Sequence, residues 1–108
     1  MDFTLSKEQQ LVQQMVREFA ENEVKPLAAE IDETERFPME TVEKMTKYGM
    51  MGIPFSKEYG GAGGDTLSYI LAVEELSKVC GTTGVILSAH TSLCASVIDK
   101  YGTEEHKQ

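Results

Sequence analysis

GMMGIPFSKEYGGAGGD, from Gly49 to Asp65, separates two helix-patterned halves of a 108-residue chain and holds most of its nine glycines. The run Gly60-Gly61-Ala62-Gly63-Gly64 has almost no side-chain bulk, so the backbone can turn sharply or lie close against another surface. Ordering so many glycines is entropically unfavourable, which predicts a loop that docks or shapes a site. A phosphate cradle is the first alternative, because glycine-rich turns that open helices bind nucleotides. Its partners are absent: a P-loop needs Lys then Ser or Thr after the last glycine, whereas Gly64 is followed by Asp65 and Thr66. A dinucleotide fingerprint needs a preceding strand, and Pro54 breaks the short apolar run before the glycines. The loop reads as punctuation that positions two helices.

Working outward, the elements are all helical. Ser6 with Gln9 three positions on forms a capping-box pattern that opens the first helix. Leu11, Val12, Met15, Val16, Phe19, Val24, Leu27, Ala28 and Ile31 recur at three- and four-residue intervals, which places them on one core face. Pro26 interrupts this pattern and predicts a kink or restart between Asn22 and Pro26. Phe37-Pro38 opens a short second helix with Val42, Met45 and Tyr48 as its stripe, ended by Gly49. Asp65 or Thr66 caps a third, with Leu67, Ile70, Leu71, Val73, Leu76 and Val79 inward and Glu74, Glu75 and Lys78 mostly outward. The fourth, from Thr82 or Thr83 to Tyr101, is apolar almost all round and predicts a central helix surrounded by partners. Thr103-Glu104-Glu105 starts a fifth that the sequence leaves one turn long, as expected for a piece of something longer. The expected fold is a single all-α domain over 1–108, a small bundle of four main helices plus a truncated fifth.

A net charge of -8, from 18 acidic against 10 basic residues, argues against nucleic acid, which is bound by neutralising phosphates with Lys and Arg. Glu30, Asp32, Glu33, Glu35, Glu40 and Glu43 gather around the first interhelical connection and read as a solvated surface. Cys80 and Cys94 lie in apolar surroundings, and the opening MDFTLSKEQQ lacks the pattern of a secretory leader, so a reduced, buried pair in the cytoplasm is expected. Val79 to Ile98 carries no Asp, Glu, Lys or Arg, yet its glycines, serines and threonines argue for a helix buried in protein rather than a membrane span.

In order along the chain, LSKEQQLVQQMVREFAENEVKPLAAEIDETERFP from Leu5, the glycine loop, and AVEELSKVCGTTGVILSAHTSLCASVIDKYGTEEHKQ from Ala72 resemble the amino-terminal helical domain of the acyl-CoA dehydrogenases. The resemblance is to the bacterial short-chain, butyryl-CoA dehydrogenase type, and covers the whole chain. It implies a parent flavoenzyme with FAD, an acyl-CoA substrate interconverted with trans-2-enoyl-CoA, an electron-transfer flavoprotein as partner and a homo-oligomer, usually a tetramer. The flavin-binding β-domain and the carboxy-terminal helical domain with its glutamate base match nothing in these residues. Taken alone, the chain is therefore expected to be inactive, to hold no FAD and to contain no catalytic residue.

What the resemblance assigns here is pocket wall: Ala89, His90 and Leu93 match positions at the far end of the acyl slot. Ala89 and Leu93 are four apart on one helical face, as an apolar slot requires and as ordinary core packing also provides. His90 and Cys94 are likewise four apart, but only Cys80 or His106 could join them, so no metal site is expected. Glu74 and Glu75 point about 100° apart and cannot converge as an acid–base pair. Two other classes stay open on the residues alone: a stand-alone helical interaction module, and a small-ligand carrier using the slot near Ala89 and Leu93.

Overall fold

The computed structural model describes residues 3–108, which contain helices and connecting turns. Helix α1 spans Lys7–Phe19. Its capping box forms as expected, with the Gln9 amide donating to Ser6 Oγ at 3.1 Å and the Ser6 amide donating to Gln9 Oε1 at 2.9 Å. The chain then passes through a wide turn of π-helical pitch, Ala20–Val24, into α2, Lys25–Thr34. Pro26 thus sits in the first turn of α2, directly after the wide turn, so the ring without an N–H falls where the helical hydrogen-bond register changes.

Helix α2 ends on Glu35 in the left-handed region, φ 58°, its amide donating to the Ile31 carbonyl at 2.9 Å. Arg36 then joins the elements, its Nη2 2.6 Å from Glu30 and its Nη1 2.8 Å from Glu40 on α3, Met39–Lys47. These pairs are part-exposed and organise the connection more than they stabilise it. Pro38 lies one residue before the first turn of α3 rather than within it.

Helix α4, Thr66–Val79, is the centre of the fold, packed along both α1 and α5, Gly81–Ser88. A second wide turn, Ala89–Ala95, links α5 to α6, Ser96–Tyr101, and a single turn, α7, follows at Glu104–Lys107. Gly84 sets the α4–α5 spacing: a Cβ there would lie 2.0 Å from Ser77 Oγ. The core gathers Val16, Phe19 and Val24 with Met45, Met50, Ile53, Tyr69, Ala72, Leu76 and Leu87.

Several sequence expectations are corrected. Leu11 and Met15 are exposed because α1 meets α4 along the Val16–Phe19 edge. Tyr48 is exposed, its ring edge-on to Phe19 at 5.9 Å, and Thr41 takes the buried place beside Met45. Leu67 and Ile70 face outward, whereas Glu75 is buried, because the inward face of α4 runs through Ser68, Ala72, Glu75 and Leu76. Gly81–Tyr101 is continuous, and long and apolar enough to cross a membrane by length and composition, but it is not a central helix: its Thr83, Gly84 and Leu87 edge packs on α4 while Val85, Leu93, Val97 and Tyr101 are exposed. Cys80 is buried and Cys94 exposed, so the thiols are not a buried pair.

Candidate functional site

The glycine loop is built by its own backbone. Met50–Gly52 and Lys57–Tyr59 each form one tight turn, and Gly49, Gly60 and Gly63 hold φ of 77°, 87° and 72°, conformations that L side chains rarely adopt. The amides of Gly61, Ala62, Gly63 and Gly64 donate to the carbonyls of Ser56, Gly52, Phe55 and Ile53 at 2.7–2.9 Å. Those donors are therefore already engaged, and the loop offers no ring of free N–H groups to a phosphate. At Gly61 the chain passes so close to its own earlier strand of loop that a Cβ would lie 2.3 Å from the Phe55 carbonyl oxygen. The five-residue small run is thus explained by self-packing.

Between this loop and the α6–α7 corner lies a cleft of about 400 Å³, lined by Met51, Phe55, Tyr59, His90, Ile98 and Asp99 among others. Its outer edge is tied by the Tyr59 hydroxyl, which donates to the Glu104 carboxylate, and by Lys107 Nζ, 5.6 Å from the centre of the Tyr59 ring. The bond to Glu104, and then burial and nearby carboxylates, push the Tyr59 phenol up to about 12. His90 closes the inner edge: its Nε2 lies 3.1 Å from the Met51 carbonyl, which can only accept, so Nε2 carries the proton.

Of the three expected pocket residues, His90 reaches this cleft and is half-buried, Ala89 is half-buried outside its lining, and Leu93 is 76% exposed on the free side of the helix. All three fall within the wide turn Ala89–Ala95. Among the described residues, no group of three or more His, Cys, Asp or Glu is placed to hold a metal ion.

Two polar groups escaped sequence reasoning. Tyr69, 5% exposed on α4, places its hydroxyl 3.3 Å from the Ser88 carbonyl and 2.7 Å from Ser92 Oγ. Its spacing with Ala72 and Leu76 was the available signal, since a buried tyrosine needs a partner for its oxygen. Glu75, 3% exposed, accepts from Arg17 Nε at 3.2 Å and Nη2 at 3.0 Å, and from Lys78 Nζ at 3.3 Å. The Arg17 hydrogen bonds hold its carboxyl below the ordinary glutamate range against the opposing effect of burial. Here the signal was a charge in step with Ser68 and Ala72, matched by Gln13 and Arg17 four apart on α1. The pair fastens α1 to α4 and is remote from the cleft.

The geometry defines a helical domain with a self-closed loop and an exposed row of apolar side chains, Val85, Leu93, Val97 and Tyr101. The profile of the family described as acyl-CoA dehydrogenase, N-terminal domain, matches residues 6–108. The short-chain specific acyl-CoA dehydrogenase of Clostridium acetobutylicum is 84% identical over 108 residues, covering 100% of this chain and 28% of that protein. Butyryl-CoA dehydrogenase from Megasphaera elsdenii superposes with a TM-score of 0.92 at 40% identity, over 99% of this chain and 29% of that one. A chain from a structure of the electron transferring flavoprotein of Acidaminococcus fermentans, described in terms of flavin-based electron bifurcation, superposes at 0.97 with 51% identity, over 100% of this chain and 28% of that one. The chain belongs to the acyl-CoA dehydrogenase family, as its N-terminal helical domain. It spans about a quarter of the length of the relatives it matches.

Proposed function

We propose that this domain serves a short-chain, FAD-dependent acyl-CoA dehydrogenase that interconverts a butyryl-CoA-like thioester with its trans-2-enoyl form, and that it contributes one wall of the acyl pocket. The observation that carries this reading is the 84% identity along the whole chain to a short-chain specific acyl-CoA dehydrogenase. Ala89, His90 and Leu93 are the residues assigned to that wall. The exposure of Leu93 fits a wall that a second domain completes, since an apolar side chain left in water is what a pocket seen from one side presents.

A flavin dinucleotide needs donors for its pyrophosphate, and the glycine loop does not offer them, since the amides of Gly61, Ala62, Gly63 and Gly64 are turned into the loop itself. The flavin and the group that removes the α-proton belong, on this reading, to the remaining three quarters of the relatives' length. An electron-transfer flavoprotein as redox partner is supported by the Acidaminococcus likeness, a homotetramer by the family resemblance, and a cytoplasmic setting by the likeness to a bacterial dehydrogenase.

The test is a direct comparison of two proteins. A full-length parent should purify with bound flavin and oxidise butyryl-CoA with electron-transfer flavoprotein as acceptor, while the 108-residue chain should do neither. A parent without acyl-CoA oxidation, or a short chain that keeps flavin through gel filtration, would overturn the assignment.

A further inference from the structure

The wide turn Ala89–Ala95 has a backbone repeat of five residues rather than four: the Ser96 amide donates to the Thr91 carbonyl. Such a turn adds one residue to the helix and rotates everything downstream by about 100° relative to uninterrupted α-helix. It is pinned from two sides. From the glycine loop, the Met51 carbonyl accepts from His90 Nε2 at 3.1 Å. From α4, the Tyr69 hydroxyl meets the Ser88 carbonyl at 3.3 Å and Ser92 Oγ at 2.7 Å. Because the carbonyl only accepts, the Tyr69 proton goes to Ser88 and the Ser92 hydroxyl donates to Tyr69. Within the same turn Thr91 Oγ1 is buried without a hydrogen-bond partner, so the turn persists despite an unmet polar group.

We infer that Tyr69 is a positioning residue for the acyl slot: its hydroxyl, seated between the Ser88 carbonyl and Ser92 Oγ, holds the wide turn that sets the directions of Ala89, His90 and Leu93. The inference rests on the acyl-wall reading above. The ring of Tyr69 fills the core between α4 and α5, which phenylalanine would do equally well; the hydroxyl alone reaches the turn. Loosening it lets the turn relax toward ordinary α-helical pitch, which redirects Leu93 and pulls His90 from Met51.

The experiment uses the full-length protein with Tyr69→Phe and, separately, Ser92→Ala. Amide hydrogen exchange across 89–95 should quicken about fivefold in Tyr69→Phe, the effect of one neutral hydrogen bond, with exchange in α1 unchanged. The ratio of kcat/KM for hexanoyl-CoA to that for butyryl-CoA should shift by about threefold or more in both variants, a change that loss of packing alone does not produce. An unchanged ratio in both variants of an active enzyme overturns the positioning role, as does unchanged exchange in the turn. A wild-type protein that oxidises no acyl-CoA removes the acyl-wall reading and the specificity role together, and is told apart because the unmutated protein itself is then silent.

Discussion

Replacing Glu75 by glutamine removes one charge from the α1–α4 seam while keeping the shape of the side chain. The carboxylate is 3% exposed and accepts two hydrogen bonds from Arg17, at 3.0 and 3.2 Å, one from Lys78 at 3.3 Å and a longer one from Gln13 Nε2 at 3.4 Å. Hydrogen bonds to charged groups contribute about 1.5–3 kcal/mol each when buried. Arg17, however, is 57% exposed and regains hydration when its partner is lost, so it is not stranded as a buried charge. The net expected loss is about 1–2 kcal/mol, or roughly 4–16 °C in Tm for a domain of this size. The pH dependence fixes the cause. Because the native carboxyl titrates below its ordinary value of 4.5, the unfolded chain binds the proton more readily, and the stabilisation is complete above that value. It is lost as pH falls through the native-state value. Thermal unfolding of wild type and Glu75→Gln, followed by circular dichroism from pH 7 to pH 2.5, should show a gap that closes on the acid side. Equal Tm values at pH 7, or a gap of constant size down to pH 2.5, would refute the charge-pair account of the seam.

Gly61→Ala should destabilise the chain by about 1–3 kcal/mol in chemical unfolding, because the new methyl meets the Phe55 carbonyl at 2.3 Å and the loop must open; full wild-type stability would show that the loop is slack. Leu93→Ala should leave the Tm of the 108-residue chain nearly unchanged, by less than about 0.5 kcal/mol in stability, since the side chain is 76% exposed. In the full-length parent the same change should favour hexanoyl- over butyryl-CoA about fourfold per methylene accommodated, and an unaltered kcat/KM ratio would remove Leu93 from the acyl wall. Val85, Leu93, Val97 and Tyr101 form an uncovered apolar side, so sedimentation of the chain should show mass rising with concentration; a monomer at every concentration would contradict this.

The sequence by itself determined the helical class, the order of the elements and most of their ends. Caps and breakers act through a few adjacent residues: Ser6 with Gln9, Asp65 accepting from the Ser68 amide at 2.8 Å, and Gly49 at φ 77° each do in space what their type and spacing require. The same locality explains why the glycine loop was readable as structure rather than a phosphate site. Burial was less legible, because an apolar stripe says that a helix has a contact face but not where its neighbour lies. Leu67 and Ile70 are as apolar as Leu71 and Leu76, and only the approach of α1 and α5 to α4 decides which pair is covered. Glu75 became an interior residue for the same reason: Arg17, 58 positions earlier in the chain, arrives beside it only when α1 docks. The candidate wall follows this division. Its residues Ala89, His90 and Leu93 could be named from the resemblance, but the wide turn that aims them is set by Tyr69 on α4 and Met51 in the loop, contacts between elements that no local pattern encodes.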